Sequence, residues 1–184
     1  RCLHSHPLAM LPELAVMLTT SGSTGTAKLV RLSEANLLAN AESIVTYLGM
    51  RATDMALTAL PFAYSYGLSV IHSHLLCGGS LVLTNDSPLQ RGFWDCLKQF
   101  PITQLVGVPY SYQIYEQLRL RRQSLPHLRI LTQAGGRMPP ERVRDYAAWA
   151  QAQGIAFYVM YGQTEATARI SYLPPAQALT HPDS

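Results

Sequence analysis

Residues 19–30 read TTSGSTGTAKLV, a run in which hydroxyls at Thr19, Thr20, Ser21, Ser23, Thr24 and Thr26 surround Gly22 and Gly25, with Lys28 close behind. These residue types suit phosphate. Glycines permit backbone angles and close approaches that a side chain would block, so successive N–H groups can converge on anionic oxygens. The hydroxyls add donors and Lys28 adds a mobile positive charge. The spacing is not that of the common P-loop, which needs GxxxxGK followed by Ser or Thr, because Lys28 follows Ala27 and precedes Leu29. On residue types alone, a plain surface loop and a phosphate cradle both remain open.

Four further stretches carry usable chemistry. YGQTEA at 161–166 offers an aromatic face that suits a purine (Tyr161), a hydroxyl that suits a phosphate oxygen (Thr164) and a carboxylate of the hard type that magnesium takes (Glu165). Without further context Tyr161 reads as a core or rim aromatic and Glu165 as a solvated acid at a helix start. QAGGRM at 133–138 pairs Gly135 and Gly136, which let a backbone approach a ligand, with the side-chain donors of Arg137. LPFAYSYG at 60–67 brings Tyr64 and Tyr66 after an apolar run, and Gly107, Val108 and Pro109 end another. The sequence contains no GxSxG elbow and no HExxH, so hydrolase and metalloprotease chemistry has no support. His72 and His74 are two positions apart and cannot share a helix face, which argues against a zinc pair.

LTTSGSTGTAKLV and YGQTEA, in this order and at this separation, resemble two motifs of the adenylate-forming superfamily: acyl- and aryl-CoA ligases, luciferase and the adenylation domains of peptide synthetases. The phosphate-loop pattern is [Ser/Thr]-Gly-[Ser/Thr]-[Ser/Thr]-Gly-x-x-Lys, and residues 21–28 fit it. Ala27 stands where the family often has proline. The resemblance implies that Thr20, Ser21, Gly22, Ser23, Thr24, Gly25, Thr26 and Lys28 hold the β- and γ-phosphates of ATP. It implies that Tyr161 stacks on adenine, with Gly135, Gly136, Arg137 and Gly162 beside the nucleotide. Thr164 would serve the α-phosphate and Glu165 would bind Mg2+, so Lys28, Thr164 and Glu165 form the implied catalytic set. Tyr64, Tyr66, Gly107, Val108 and Pro109 would line the acyl pocket, with Tyr64 where many CoA ligases carry histidine.

The implied reaction joins a carboxylic acid to ATP as an acyl-adenylate and then transfers the acyl group to a thiol. That thiol is coenzyme A or a carrier protein's phosphopantetheine. A nucleotide-binding or structural module without ligase activity is the alternative. The resemblance runs from about Leu18 to Tyr172 and covers only the central part of the family's large N-terminal region. Residues 1–184 are therefore expected to form one incomplete α/β domain, with the C-terminal catalytic-lysine domain absent and the isolated chain nearly inactive. Apolar and aromatic pocket candidates, with no evident buried charge to meet an amino acid's ammonium group, favour an aryl or fatty acid.

These residues need a scaffold, and the hydropathy pattern supplies one. LAVMLTT from Leu14, DMALTAL, SLVLT, ITQLVGV, residues 128–132 and IAFYVMY read as short apolar strands. Between them, helices are expected from an N-cap at Ser33 to a C-cap at Gly49, from about Gly67 to Cys77, over 89–100, over SYQIYEQLRLRR and from Pro139-Pro140 to Gly154. Alternation of this kind predicts α/β architecture: a mostly parallel sheet with helices on both faces, built from right-handed βαβ units. Ligands then bind beyond the C-terminal strand ends, where the loops at 20–28, 133–138 and 162–167 are expected.

Composition excludes several classes. With 48% hydrophobic and 14% charged residues the chain is globular rather than disordered. A net charge of +3 is too mild for nucleic-acid binding, and Arg119, Arg121 and Arg122 read as a solvated helix end. The 3 cysteines are widely spaced and predict unpaired, mostly buried thiols of a reduced, cytoplasmic protein. No apolar run reaches the length of a membrane span.

Overall fold

The computed structural model describes residues 11–20 and 28–183. Strands β3 (Met55–Leu57), β4 (Ser80–Val82), β5 (Gln104–Gly107), β6 (Ile130–Gln133), β7 (Ala156–Tyr161) and β8 (Ser171–Leu173) form one six-stranded sheet in the order β4-β3-β5-β6-β7-β8. All neighbours are parallel except β8, which closes the edge antiparallel to β7. Successive residues on each strand face opposite sides, and both sides are covered. Leu57, Leu105, Leu131 and Phe157 pack with α3 (Arg91–Gln99), α4 (Pro109–Gln117) and α5 (Pro140–Ala152). Ala56, Val106, Ile130 and Tyr158 pack with α1 (Glu34–Leu48) and α2 (Ser65–Cys77). Near-continuous apolar strands follow from burial on two faces.

The direction of winding explains which helix covers which face. From β3 the chain crosses through α2 to β4 at one edge, whereas from β4 onward it returns through α3, α4 and α5 toward β7. Right-handed crossovers running in opposite directions put their helices on opposite faces. The reversal leaves a crevice beyond the C-terminal ends of β3 and β5, the place where open α/β sheets bind ligands.

Helix α1 shows how local chemistry fixes these elements. Ser33 Oγ accepts the Asn36 N–H at 3.2 Å and Asn36 Oδ1 accepts the Ser33 N–H at 3.2 Å, a reciprocal cap. Gly49 ends the helix at φ +58°, and Ala41, Ile44 and Leu48 form the buried stripe between.

Several expectations need correction. β1 (Leu14–Thr20) does not join the large sheet but pairs antiparallel with an unanticipated strand, β2 (Lys28–Ser33), in a separate hairpin. Loop 20–28 therefore joins hairpin strands instead of following a parallel strand. The helix expected over SYQIYEQLRLRR stops at Gln117, and Arg119 takes φ +58° before a 3-10 turn, Leu120–Arg122. Leu120 is thereby driven into the core, and Arg121 returns to pair with Glu116 and to lie over the Tyr146 ring, 5.5 Å from its centroid. Cys77 and Cys96 are unpaired but only half-buried, and Cys2 lies outside the described residues. No described helix is long and apolar enough to cross a membrane.

Candidate active site at the sheet edge

Register places the candidate loops together. Gly107 pairs with Gln133, and Gln133 with Val159, so β5, β6 and β7 end along one edge of the sheet. Beyond that edge lies a cleft of about 730 Å3 bordered by Tyr64, Gly135, Gly136, Arg137, Tyr161 and Gly162, with Tyr172 of β8 on the far wall.

After β6 the chain turns at Gly135, φ +79°, and the Gln133 side chain closes the turn by donating from Nε2 to the Gly136 carbonyl at 2.8 Å. A Cβ at Gly135 would lie 2.3 Å from the Tyr64 hydroxyl, so only glycine lets that phenol approach the turn. Gly136 faces Pro109, and a Cβ there would lie 3.2 Å from Pro109 Cγ. Arg137 is exposed, and Val108 and Pro109 are half-buried where α4 begins. Gly107 is enclosed, since a Cβ would stand 2.9 Å from Ser111 Cβ.

After β7 the chain makes a 3-10 turn at Thr164–Ala166 and comes back as β8. Ala168 and Ile170 donate their N–H groups to the Gln163 and Tyr161 carbonyls, cinching the loop. Gly162 permits the crossing, because a Cβ there would lie 1.5 Å from the Ala168 oxygen. Thr167 and Ala168 hold φ of 57° and 87°, a costly conformation for residues with a Cβ. Tyr161 is 61% exposed, its ring open to the cleft region, and Glu165 is exposed. Thr164 is half-buried, and its Oγ1 donates to Ser65 Oγ at 3.2 Å.

Ser65 was not singled out by the sequence. It is the first residue of α2, a helix with no side-chain cap, so the positive end of the helix dipole sits beside Thr164. Of the phosphate-loop candidates, Thr20 is half-buried and Lys28 is exposed, and they are cross-strand partners at the end of the β1–β2 hairpin. Ser21, Gly22, Ser23, Thr24, Gly25 and Thr26 lie outside the described residues. β2, which starts at Lys28, packs against the Thr164–Ala166 turn.

Tyr64 and Tyr66 differ in environment. Tyr64 is half-buried, and burial raises its phenol above the ordinary value. Tyr66, expected to share the acyl-pocket wall, is only 3% exposed and borders a small recess beside Tyr64 and Gly135. Its hydroxyl donates to the Thr132 carbonyl at 3.0 Å and lies 2.7 Å from Thr132 Oγ1. Burial pushes its phenol up to about 12 despite the opposing charge of Arg169. His74 is fully buried, with Nδ1 donating to the Val70 carbonyl at 2.8 Å, and burial lowers its pKa.

Arg169, which no motif drew attention to, is only 7% exposed, with its guanidinium 5.0 Å from the Tyr66 ring centroid. No local signal marked it, because it sits in a short stretch of small residues and its partners belong to α1 and β7.

Comparison with known proteins agrees with this architecture. Feruloyl-CoA synthase of Amycolatopsis sp is 28% identical over 167 residues, spanning 90% of this chain and 33% of that protein. Malformin synthetase mlfA of Aspergillus homomorphus (strain CBS 101889) is 29% identical over 163 residues, 89% of this chain and 3% of that one. The solved structure of VinN in complex with L-aspartate superposes with a TM-score of 0.79 at 28% identity, covering 98% of this chain and 45% of VinN. The chain thus spans about a third of the length of the feruloyl-CoA synthase it matches. The profile of the family described as AMP-binding enzyme matches residues 6–184, and the chain belongs to that family.

Proposed function

We propose that the full-length protein activates a carboxylic acid with ATP, forming an acyl-adenylate and pyrophosphate, and then passes the acyl group to a thiol. Residues 1–184 are, in this reading, the central part of its AMP-binding N-terminal domain, with a catalytic lysine contributed by a separate C-terminal domain. The observation that carries the proposal is the meeting of the Gly135–Gly136 turn, the Tyr161–Thr164 turn and the start of α2 at one sheet edge, around a cleft of nucleotide-accepting size.

Each residue has a role that its chemistry fits. Tyr161 offers an exposed ring on which adenine can stack, with Gly135, Gly136, Arg137 and Gly162 bordering the same cleft. The dipole of α2 favours anionic oxygens at the α-phosphate, and Thr164 donates to them once its hydroxyl proton turns away from Ser65 Oγ and Ser65 donates in its place. Thr20, residues 21–26 and Lys28 hold the β- and γ-phosphates. Tyr64, Val108 and Pro109, grouped around the Gly135 turn, wall the acyl side. Such a site works by alignment and by neutralising charge that grows during in-line attack on phosphorus.

Among the described residues no three His, Cys, Asp or Glu side chains converge on a point. Glu165 offers one hard carboxylate oxygen donor, which suits Mg2+, an ion that keeps most of its oxygen ligands from phosphate and water. When bound, the ion neutralises phosphate charge. Likeness to a CoA synthase supports coenzyme A as the thiol acceptor, and a carrier-bound phosphopantetheine is the other acceptor consistent with the family resemblance. Half-buried, unpaired Cys77 and Cys96 are consistent with a reducing cytoplasmic setting.

Thermal unfolding of the full-length protein tests nucleotide binding directly. Millimolar Mg-ATP is expected to raise Tm by several degrees, and Tyr161→Ala is expected to remove most of the rise. A Tm indifferent to Mg-ATP would contradict the proposal.

A further inference from the structure

Two arginines in this chain grip carboxylates in the same way. Arg121 lays its Nε and Nη2 against Glu116, with Nε 2.9 Å from Oε2. Arg129 lays the same two nitrogens against Asp54, with Nε 3.2 Å from Oδ1. Arg169 is more deeply buried than either, yet its Nε and Nη2 have no partner among the described residues. Its Nη1 is committed, donating to Tyr47 Oη at 3.1 Å and lying 3.5 Å from Met160 Sδ. The edge left free is the side-on fork of two parallel N–H donors, which matches the two oxygens of a carboxylate. An arginine in a protein stays charged, so this is a buried cation whose best bonding edge is unused among the described residues.

Arg169 helps to wall a cavity of about 60 Å3, together with Tyr64, Ser65, Tyr66, Gly135 and Thr164 among others. A water molecule occupies roughly 30 Å3 in the liquid, so the space admits one carboxylate-sized group or about two waters. Tyr64, Gly135 and Gly162 border both this cavity and the large cleft, which makes the cavity a side recess of the candidate active site.

We propose that Arg169 is the counter-charge for a second, non-reacting carboxylate on the acid, and that the substrate class is dicarboxylic acids. This rests on the acid-activating reading above. The group on the fork is the non-reacting one because a carboxylate held there has both oxygens engaged and its charge neutralised, which makes it a poor nucleophile. The carboxylate to be activated needs an oxygen free to reach the α-phosphorus. A purely aryl or fatty acid would leave the cation unpaired inside the protein, a costly arrangement that discriminates against such acids.

The test uses the full-length protein with matched acids, hexanoate against adipate and benzoate against isophthalate. It compares wild type with Arg169→Met and with Arg169→Lys, which keeps the charge and loses the fork. Acid-dependent pyrophosphate exchange gives kcat and KM, isothermal titration without ATP gives binding, and thermal unfolding checks that each variant folds. The wild type is expected to favour at least one diacid over its twin by about 10-fold or more in kcat/KM. Arg169→Met should collapse that ratio by about 10- to 100-fold, chiefly through the diacid KM, with Arg169→Lys between. Absence of diacid preference in the wild type, or equal losses for both twins in Arg169→Met with a lowered Tm, overturns the proposal. The latter result would mean that Arg169 pairs with water or with another segment of the chain. If no acid drives exchange while titration still shows Arg169-dependent diacid binding, acid activation falls and the diacid site stands. Exchange that favours a monoacid and is indifferent to Arg169 leaves activation standing and overturns the diacid site.

Discussion

Thr164 Oγ1 donates to Ser65 Oγ at 3.2 Å, tying the turn after β7 to the first residue of α2 across 99 positions of sequence. This bond holds the hydroxyl assigned to the α-phosphate against the positive end of a helix, so losing it affects position as well as stability. Ser65→Ala is expected to cost about 1 kcal/mol of stability. It should also lower kcat for pyrophosphate exchange by about 10-fold through misplacement of Thr164. Thr164→Val removes the hydroxyl itself and is expected to be the more severe. Urea unfolding and exchange kinetics on both variants measure the two effects, and equal kinetics for Ser65→Ala and wild type would contradict the positioning role.

The Gly135–Tyr64 contact predicts a non-additive pair. Gly135→Ala forces an alanine into φ +79° and puts its Cβ 2.3 Å from the Tyr64 hydroxyl. Left-handed backbone costs an L-residue about 1–2 kcal/mol, and overpacking adds about 1–3 kcal/mol. Gly135→Ala combined with Tyr64→Ala should lose less stability than the sum of the single changes, because only the overpacking is relieved. A double-mutant cycle by chemical denaturation measures this, and strict additivity would contradict the contact.

The pairing of Asp54 with Arg129 predicts a pH dependence. Burial alone would raise the Asp54 carboxyl, but hydrogen bonds from Arg129 and the Arg51 amide hold it below its ordinary value. A carboxyl depressed by folding contributes stability that is present above its unfolded value and lost as pH falls through the folded one. The urea midpoint of the wild type should therefore decline below about pH 4. Asp54→Asn should be less stable at pH 7 by about 3 kcal/mol, the usual cost of removing one partner of a buried pair. Its own decline at acid pH should be shallower, and parallel profiles for the two proteins would contradict the assignment.

How much could be read beforehand depended on whether the cause was local. Ser33 and Gly49 bound α1 because capping and left-handed backbone are properties of a few adjacent residues. Pro139 and Pro140 mark the start of α5 for the same reason. Apolar runs revealed strands buried on both faces, and hence the parallel sheet. Strand partnership is a long-range property, so the same pattern gave no warning that β1 pairs with β2 outside the main sheet. In the site, Gly135, Gly136, Tyr161, Gly162 and Tyr64 were visible as residue types and do border one cleft. Arg169 was invisible because its burial is imposed by Tyr47, 122 positions away, and by Met160 and Tyr66. The residue type of Tyr66 pointed to the pocket region, where it borders the recess beside Tyr64, but gave no sign that its hydroxyl is spent on Thr132 of β6.

Acid-dependent exchange of pyrophosphate into ATP by the full-length protein tests the central claim, that the loop ending at Lys28 and the turn carrying Glu165 serve one adenylation site. Across a panel of aryl, fatty, amino and dicarboxylic acids, at least one acid is expected to drive exchange. Lys28→Ala and Glu165→Ala should each reduce its kcat by about 100-fold or more while the proteins stay folded. Exchange at the wild-type rate in both variants, or no exchange with any acid despite tight Mg-ATP binding, would contradict it.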